Sequence, residues 1–402
     1  MREMKIMDLV DSKYDYIIAG SGCAGLSILY KILKTPSLQY KSILVIDQNL
    51  KTSINKTWCF WEKKSGDFDT IVHTKWKSLE VLSDNYKKNL ELGPYIYKMI
   101  RGIDFYNFII NHAKKFKNIT FIEEDIISMS YDKNAILKTL KNTYISDYIF
   151  NSTNLFNPEF TLENSLLQHF KGWIIKTEKS EFNSDIGRIM DFGLTQKDGA
   201  TFMYLLPISQ TEALVEYTIF SPKILDNETY ELEIKKYISE KLSINNYIIL
   251  NKESGIIPMS LAKFEKNPKK NIYNIGTAGG FTKASTGYTF PFIQKNVTEI
   301  VKKLEKGEKI SNSSSFKDSV YEWYDRTLID VLLKNKLSGK EVFTKMFKNI
   351  PAYKIFAFLG NESTFSEDLS IMKKMPLTPF FISGINQLKF NFFKKIFATK
   401  SL

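Results

Sequence analysis

A chain of 402 residues exceeds what one hydrophobic core organises efficiently, so at least two packed units are expected, and 43% hydrophobic with 25% charged residues excludes a disordered polymer. The formal net charge of +12 suits an anionic cofactor or an anionic membrane surface; the chain has neither a Lys/Arg run interleaved with stacking aromatics nor an RRM, KH or zinc-finger pattern, which argues against nucleic acid as the partner. Cys23 and Cys59 are the only cysteines, too few for a disulfide framework or a cysteine metal site.

Asp15 to Ala19 has the pattern of a buried strand, followed by a glycine turn, an apolar helix to about Leu33, and a second strand from Ser42 to Ile46 that ends at Asp47. In DYIIAGSGCAGLSIL the residues Gly20, Ser21, Gly22, Ala24 and Gly25 make a GxGxxG turn in the right context. The first glycine permits the turn, the second lets the backbone approach a pyrophosphate, and the third lets helix and strand pack closely. Asp47 stands where the motif places an acceptor for a ribose hydroxyl. The motif alone leaves FAD and NAD both open. KTWCFWE, residues 56–62, brings Trp58, Phe60 and Trp61, which suit either a long apolar pocket whose π faces steady a cation or plain core packing. Phe105 to Phe116 has helical spacing and leads into the short strand Ile119 to Ile122.

From about Asn157 to Gly255 the pattern changes to longer extended runs, including Thr201 to Ile208 and Ala213 to Phe220, interrupted by a helical stretch over Asn227 to Leu242. In ALVEYTIFS, alternation sets Glu216 on one face with Leu214, Thr218 and Phe220. A carboxyl among apolar neighbours keeps its proton better than in water, as a general acid aimed at an unactivated alkene must; on the wet face of the strand it would be an ordinary surface glutamate. Asp191 in RIMDF and Glu62 are further acids beside aromatic residues, fit to be counterions or structural acceptors. His73, His112 and His169 have no ligand or triad spacing, so no metal is expected.

Asn271 to Gly276 returns as a strand opening a second glycine-rich loop, with Gly276, Thr277, Gly279 and Gly280, able to pass close to a bound dinucleotide. The dinucleotide unit is thus expected to be discontinuous, 12–155 with 255–306, around an antiparallel β unit at 156–254. Residues 307–402 are expected to be helices broken at Pro351, Pro376 and Pro379. The tail sets Phe380, Phe381, Ile385, Leu388, Phe392, Phe393, Ile396 and Phe397 among Lys389, Lys394, Lys395 and Lys400 with no acid. That is the composition of a basic helix lying in a membrane interface, or of one docked on the core. No apolar run reaches the roughly 18 residues of a spanning helix and the N-terminus lacks a signal core, so a cytoplasmic protein in peripheral contact with membrane is expected.

Taken together, IIAGSGCAGLS, KTWCFWE, YKMIRGIDF, RIMDF, FMYLLPIS, ALVEYT, GIIPM and IGTAGGFTKASTGYTF resemble, in order and spacing, the motif set of the lycopene cyclase family over about residues 15 to 290. The resemblance implies an α/β, FAD-binding Rossmann-like fold of the aromatic-hydroxylase and geranylgeranyl-reductase kind, with a β-sheet substrate domain and C-terminal helices. It implies an acid-initiated, non-redox cyclisation of the ψ end groups of lycopene to β-ionone rings, with bound reduced FAD and NAD(P)H as reductant. It puts Glu216 at the family's essential acid and Arg101 near the flavin. Lys56 stands where arginine is common, and Tyr217 where many members carry a second acid, so a second carboxylate would have to come from Asp191 or Glu62. Two other readings stay open: an FAD/NAD(P)H-dependent prenyl reductase or monooxygenase, which would consume reductant stoichiometrically, and a non-catalytic carotenoid or flavin-binding protein.

Overall fold

A computed structural model describes residues 12–50, 56–84, 86–310 and 315–398, the last helix beyond residue 388 as backbone alone. β1 (Ser12–Ala19) and β2 (Ile43–Asp47) flank α1 (Cys23–Lys34). Their continuous apolar runs, Ile17 to Ala19 and Ile43 to Ile46, are fully buried, as strands of a sheet covered on both faces must be. β1 pairs in parallel with β2 and with β11 (Thr143–Asn151), and β2 with β8 (Ile119–Glu123). β10 (Asn134–Thr139) and β9 (Ile126–Asp132) extend the sheet antiparallel beyond β11. The three residues of β17 (Ile272–Asn274) pair in parallel with the end of β11, so one strand of this sheet arrives more than a hundred residues after the others. On one face α1, α2 (Gly102–Ala113) and α4 (Phe290–Glu305) bury Leu26, Leu29, Phe105, Ile109, Ile293 and Val297. The other face holds Ile17, Leu44 and Ile46 against Met129 and Leu137.

The second sheet has the order β16 (Ile248–Ser260), β12 (Ser165–Lys176), β15 (Glu212–Ser221), β14 (Ala200–Pro207), β13 (Ile186–Asp191), β5 (Ser78–Ser83), β6 (Tyr86–Glu91). Residues 78–91 therefore depart from the expected division, which left them with the dinucleotide unit. β6 carries Lys87, Lys88, Asn89 and Glu91 and looks like loop in sequence, yet the hairpin continues the second sheet through the parallel β5–β13 ladder and the Arg188–Glu80 ion pair. One face of this sheet packs on α3 (Asn227–Lys236) through Trp173, Val215, Tyr217 and Ile219. The other packs Leu206, Leu214, Phe202 and Phe220 on α5 (Phe316–Leu333), α6 (Gly339–Asn349), α7 (Ala352–Leu359) and α8 (Phe365–Met372). A small sheet, β3 (Thr57–Glu62), β7 (Ile96–Arg101) and β4 (Thr74–Trp76), joins the two cores by alternation: Phe60 and Ile100 enter the first, Trp61, Tyr97 and Met99 the second.

α9 (Leu377–Ala398) is docked along one side. Trp323 Nε1 donates to the Gly384 carbonyl at 2.9 Å, Lys336 to Ser383 at 2.7 Å, and Gln387 to Asp330 at 3.2 Å. Leu377, Phe381, Ile385 and Leu388, at helical spacing, are exposed. The side chains of Lys389, Phe392, Phe393, Lys394, Lys395, Ile396, Phe397 and Lys400 lie outside the described residues. No helix among the described residues is long and apolar enough to cross a membrane.

Candidate active site

The glycine turn is built by sterics. Gly20 has φ +95°, and a Cβ there would lie 2.3 Å from Ser152 Oγ; a Cβ on Gly25 would lie 1.9 Å from the Gly20 carbonyl oxygen. Gly22 alone opens to empty space, with nothing within 4 Å of its Cβ position. It caps α1 without a side chain, and the first turn holds no acid, so the N–H groups and positive end of the helix are left for an anion. Asp47 is less free than the motif suggests. Its carboxylate accepts from Ser21 N at 2.6 Å, Ser21 Oγ at 2.9 Å and Asn49 N at 3.1 Å, so it fixes the turn and keeps only part of its accepting capacity for a ribose. Gly276 brings the second glycine loop onto the first: its φ is +61°, and a Cβ would lie 2.6 Å from Ala24 Cβ. Gly279 and Gly280 close that turn, while Thr277 points into the space beyond Gly22. An open N-cap glycine, an uncapped helix start and a second glycine segment against it fit a dinucleotide.

That space is a cavity of about 670 Å³ running from Gly22 to Ala24 past Trp58, Thr277 and Phe290 to the second sheet, where it reaches Tyr204, Glu216 and Glu253. These last three stand in one row across neighbouring strands, Tyr204 opposite Glu216, Glu216 opposite Gly172, and Gly172 opposite Glu253. Residues directly opposite in antiparallel ladders share a face. Gly172 leaves room for the Glu216 carboxyl, for a Cβ on it would lie 3.2 Å from Glu216 Oε2. Glu216 is 9% exposed and Glu253 4%. Glu216 therefore lies on the dry face, and among the described residues its donor is Thr218 Oγ1 at 3.0 Å from Oε1.

Burial raises the Glu216 carboxyl well above the ordinary carboxylate range, the charge of Glu253 adds to the rise, and the Thr218 hydroxyl opposes it. Burial also pushes Glu253 up to about 7, against the donors of Thr57 and the charge of Lys56. The hydroxyls of Tyr97 and Tyr288 lie 3.1 Å apart. Burial pushes Tyr288 up to about 12 and Tyr97, Tyr204 and the Cys59 thiol well above their usual values, so all four are neutral at physiological pH. The site thus offers a protonated carboxyl and several neutral hydroxyls in a cavity walled by Leu206, Leu214, Phe290 and Ile293.

The other expected site residues divide. Trp58, Phe60 and Trp61 do not line one pocket: strand alternation turns Trp61 away from the face that Trp58 and Phe60 share, and of those two Phe60 is covered in the core. Trp58 lines the cavity. Phe60 is stacked on Phe290 at 4.6 Å in the first core. Trp61 bonds the Phe356 carbonyl at 3.0 Å and borders a separate space of about 270 Å³. Glu62 is ion-paired with Lys98 at 2.6 Å. Asp191 accepts from Tyr237 at 2.8 Å and Gly193 N at 2.9 Å beside Arg188. Neither acid reaches the cavity, so neither can serve there as a second carboxylate. Arg101 is half-exposed in a two-point pair with Asp104, outside the cavity lining, although Thr57 opposite it on β3 does line it. Tyr217, next to Glu216 in sequence, faces α3 on the other side of the sheet. Glu253, Gly172, Thr57, Tyr204 and Tyr288 carried no sequence signal of their own, since their meeting is a matter of strand register. Among the described residues no group of His, Cys, Asp or Glu is arranged to hold a metal.

Comparison with known proteins agrees with this architecture. The profile of the lycopene cyclase protein family matches residues 15–384. A lycopene beta-cyclase of Paracoccus sp. is 32% identical over 109 residues, an alignment spanning 26% of this chain and 28% of that protein. Among solved structures, a geranylgeranyl bacteriochlorophyll reductase-like protein of Thermoplasma acidophilum superposes with a TM-score of 0.59 at 10% identity, covering 92% of this chain and 96% of the other. A flavin-dependent halogenase of Xanthomonas campestris gives 0.57 at 10% identity over 94% and 88%. The p-nitrophenol 4-monooxygenase of Pseudomonas putida gives 0.54 at 9% over 95% and 98%. At such identities the likeness establishes the fold, which is the α/β fold of the flavin-dependent enzymes.

Proposed function

The chain belongs to the lycopene cyclase family, and from that premise we propose that it catalyses the acid-initiated, non-redox cyclisation of the ψ end groups of lycopene to β-ionone rings. The observation that carries the proposal is Glu216, a carboxyl buried on the dry face of the second sheet, in the same cavity as the open glycine turn. Glu216 gives its proton to the terminal double bond of the end group, and the tertiary cation so formed is attacked by the neighbouring double bond. Loss of a ring proton completes the new end group, with no net change in oxidation state. Thr218 holds the carboxyl in place, the apolar walls keep water from capturing the cation, and Trp58 presents a π face toward positive charge.

We propose FAD as the cofactor, held by Gly20, Gly22 and Gly25 with Asp47 on one side and by Gly276 and Thr277 on the other, with NAD(P)H as its reductant. Bound there, a reduced flavin would supply an electron-rich group able to stabilise positive charge. The first sheet with α1, α2 and α4 would form the cofactor-binding part, and the second sheet the substrate wall. Lycopene is dissolved in membrane, and a peripheral, cytoplasmic-face association is supported by the exposed stripe Leu377, Phe381, Ile385 and Leu388 on α9. Beyond Asp368 the sequence has six lysines and no acid.

The test is anaerobic incubation of the protein with FAD, a reductant and lycopene in liposomes, measuring pigment products and reductant together. The expected outcome is cyclic product without stoichiometric reductant use, abolished in Glu216→Gln with flavin retained. Hydrogenated product with stoichiometric consumption would establish a prenyl reductase instead.

A further inference from the structure

Glu216 is one half of a pair. It and Glu253 lie on the two strands that flank β12, each directly opposite Gly172 and on the same face, and the cavity reaches both. Their surroundings differ in a way that decides where a proton sits. Among the described residues Glu216 has one donor, a hydroxyl at 3.0 Å. Glu253 receives the Thr57 N–H at 2.8 Å on Oε2 and the Thr57 hydroxyl at 2.9 Å on Oε1, with the Lys56 ammonium nearby. Two like carboxylates in a dry site do not both ionise readily, and the one with more donors and a cation keeps the charge. Glu253 is therefore the carboxylate and Glu216 the acid.

We propose that Glu253 is the base that takes up the ring proton, so that the pair carries one proton between its two members through each turnover. The inference rests on the cyclase reading above. In the forward step the O–H bond of Glu216 breaks and a C–H bond forms at the terminal alkene carbon. The neighbouring π bond closes the ring by forming a C–C bond to the cationic carbon. A ring C–H bond then breaks, its electron pair becomes the ring double bond, and the proton goes to the Glu253 carboxylate. Glu253, now neutral, returns the proton to Glu216 across the gap above Gly172, directly or through a water. No oxidant or reductant takes part and all atoms balance. The placement also accounts for Tyr217: an acid there would face α3, whereas Glu253 supplies a second carboxyl on the cavity side.

The test is the pH dependence of cyclisation by the flavin-loaded protein. The titratable groups facing Glu253 are Glu216 on β15, Cys59 on β3 and Lys56 just before it, with Tyr204 and Tyr288 across the cavity. Cys59 and the tyrosines are held neutral by burial, which leaves the pair as the group that changes charge near neutrality. Wild type is expected to gain activity as pH rises and Glu253 ionises. Glu253→Gln, which can keep both Thr57 contacts, is expected to retain flavin, lose about 100-fold in rate and lose that rise; Glu253→Asp should restore part of both. Thr57→Val removes a donor to the carboxylate and should move the rise to higher pH. Glu253→Gln cyclising at the wild-type rate with the rise in place overturns the inference, as does a rise unmoved in Thr57→Val or loss of flavin in both Glu253 variants. Full activity of Glu216→Gln would instead overturn the cyclase acid, whereas an inactive Glu216→Gln beside a fully active Glu253→Gln overturns the pair alone.

Discussion

Gly172→Ala isolates the geometry of the acid from its chemistry. Gly172 lies in the middle of a strand with no left-handed backbone requirement, so alanine is permitted by the main chain and only space is at issue. The added Cβ would lie 3.0 Å from Leu214 Cδ1 and 3.2 Å from both Cβ and Oε2 of Glu216. The Leu214 methyl can rotate away. The Glu216 Cβ cannot, because ordinary cross-strand Cβ pairs stand about 4.5–5.5 Å apart and the strand itself must give. Overpacking of this kind costs about 1–3 kcal/mol, offset by the roughly 0.5–1 kcal/mol that alanine gains over glycine in an extended segment. A net loss of at most about 2.5 kcal/mol leaves the protein folded and lowers its melting temperature by a few degrees. The rate should suffer more, since a catalytic group displaced by a fraction of an ångström to an ångström loses about 10- to 100-fold. The assay is pigment chromatography under single-turnover conditions, alongside thermal melting and flavin absorbance. A variant within twofold of wild type in rate would refute the idea that the gap at Gly172 positions Glu216.

The buried pair also makes stability depend on pH. Glu253 has a carboxyl near 4.5 in the unfolded chain and about 7 when folded, so its contribution is complete below pH 4.5 and is lost as pH rises through 7. Glu253→Gln should therefore melt higher than wild type at pH 8, by up to about 3 kcal/mol of stability, and no higher at pH 4; equal melting at pH 8 would argue against a buried, ionising Glu253. Deleting residues 389–402 leaves the Trp323–Gly384 and Gln387–Asp330 contacts of α9 intact and should reduce flotation with anionic liposomes without changing the melt. Unchanged flotation would show that the tail is not the membrane contact.

Much of the fold is legible in the sequence because its signals are local. The turn from Gly20 to Gly25 needs a strand before it and a helix after it, and both are patterned within a few residues. Glu216 is legible as a candidate because alternation along ALVEYTIFS is also local, but which face is dry depends on α5 to α8 and could not be read from the strand. Glu253 was invisible for a related reason. In NKESGIIPM it sits among polar and exposed neighbours, and Asn251 and Lys252 on β16 give no hint that Thr57 will cover it. Trp58, Phe60 and Trp61 look like one aromatic cluster in sequence, but the two-residue period of their strand sends Trp61 into the other core from Trp58 and Phe60. The β5–β6 hairpin was misplaced because its charged outer strand has no apolar alternation to announce it.

Contacts in and around the site join distant parts of the chain. Thr57 and Glu253 are separated by 196 residues, Asn151 and Asn274 by 123, and Trp61 and Phe356 by 295. Local elements such as the βαβ unit around α1 can form as soon as their own residues are available, whereas closing loops this long carries an entropic cost that is recovered only when the distant partners have packed. The order of assembly then separates two competences: the glycine turn becomes structured early, and the ordered acid row exists only after the chain has returned to it. On the proposed cyclase reading, a partly folded molecule would offer a nucleotide its turn while still leaving the future cavity open to water, and the last folding step would be the one that creates the conditions for handling a carbocation.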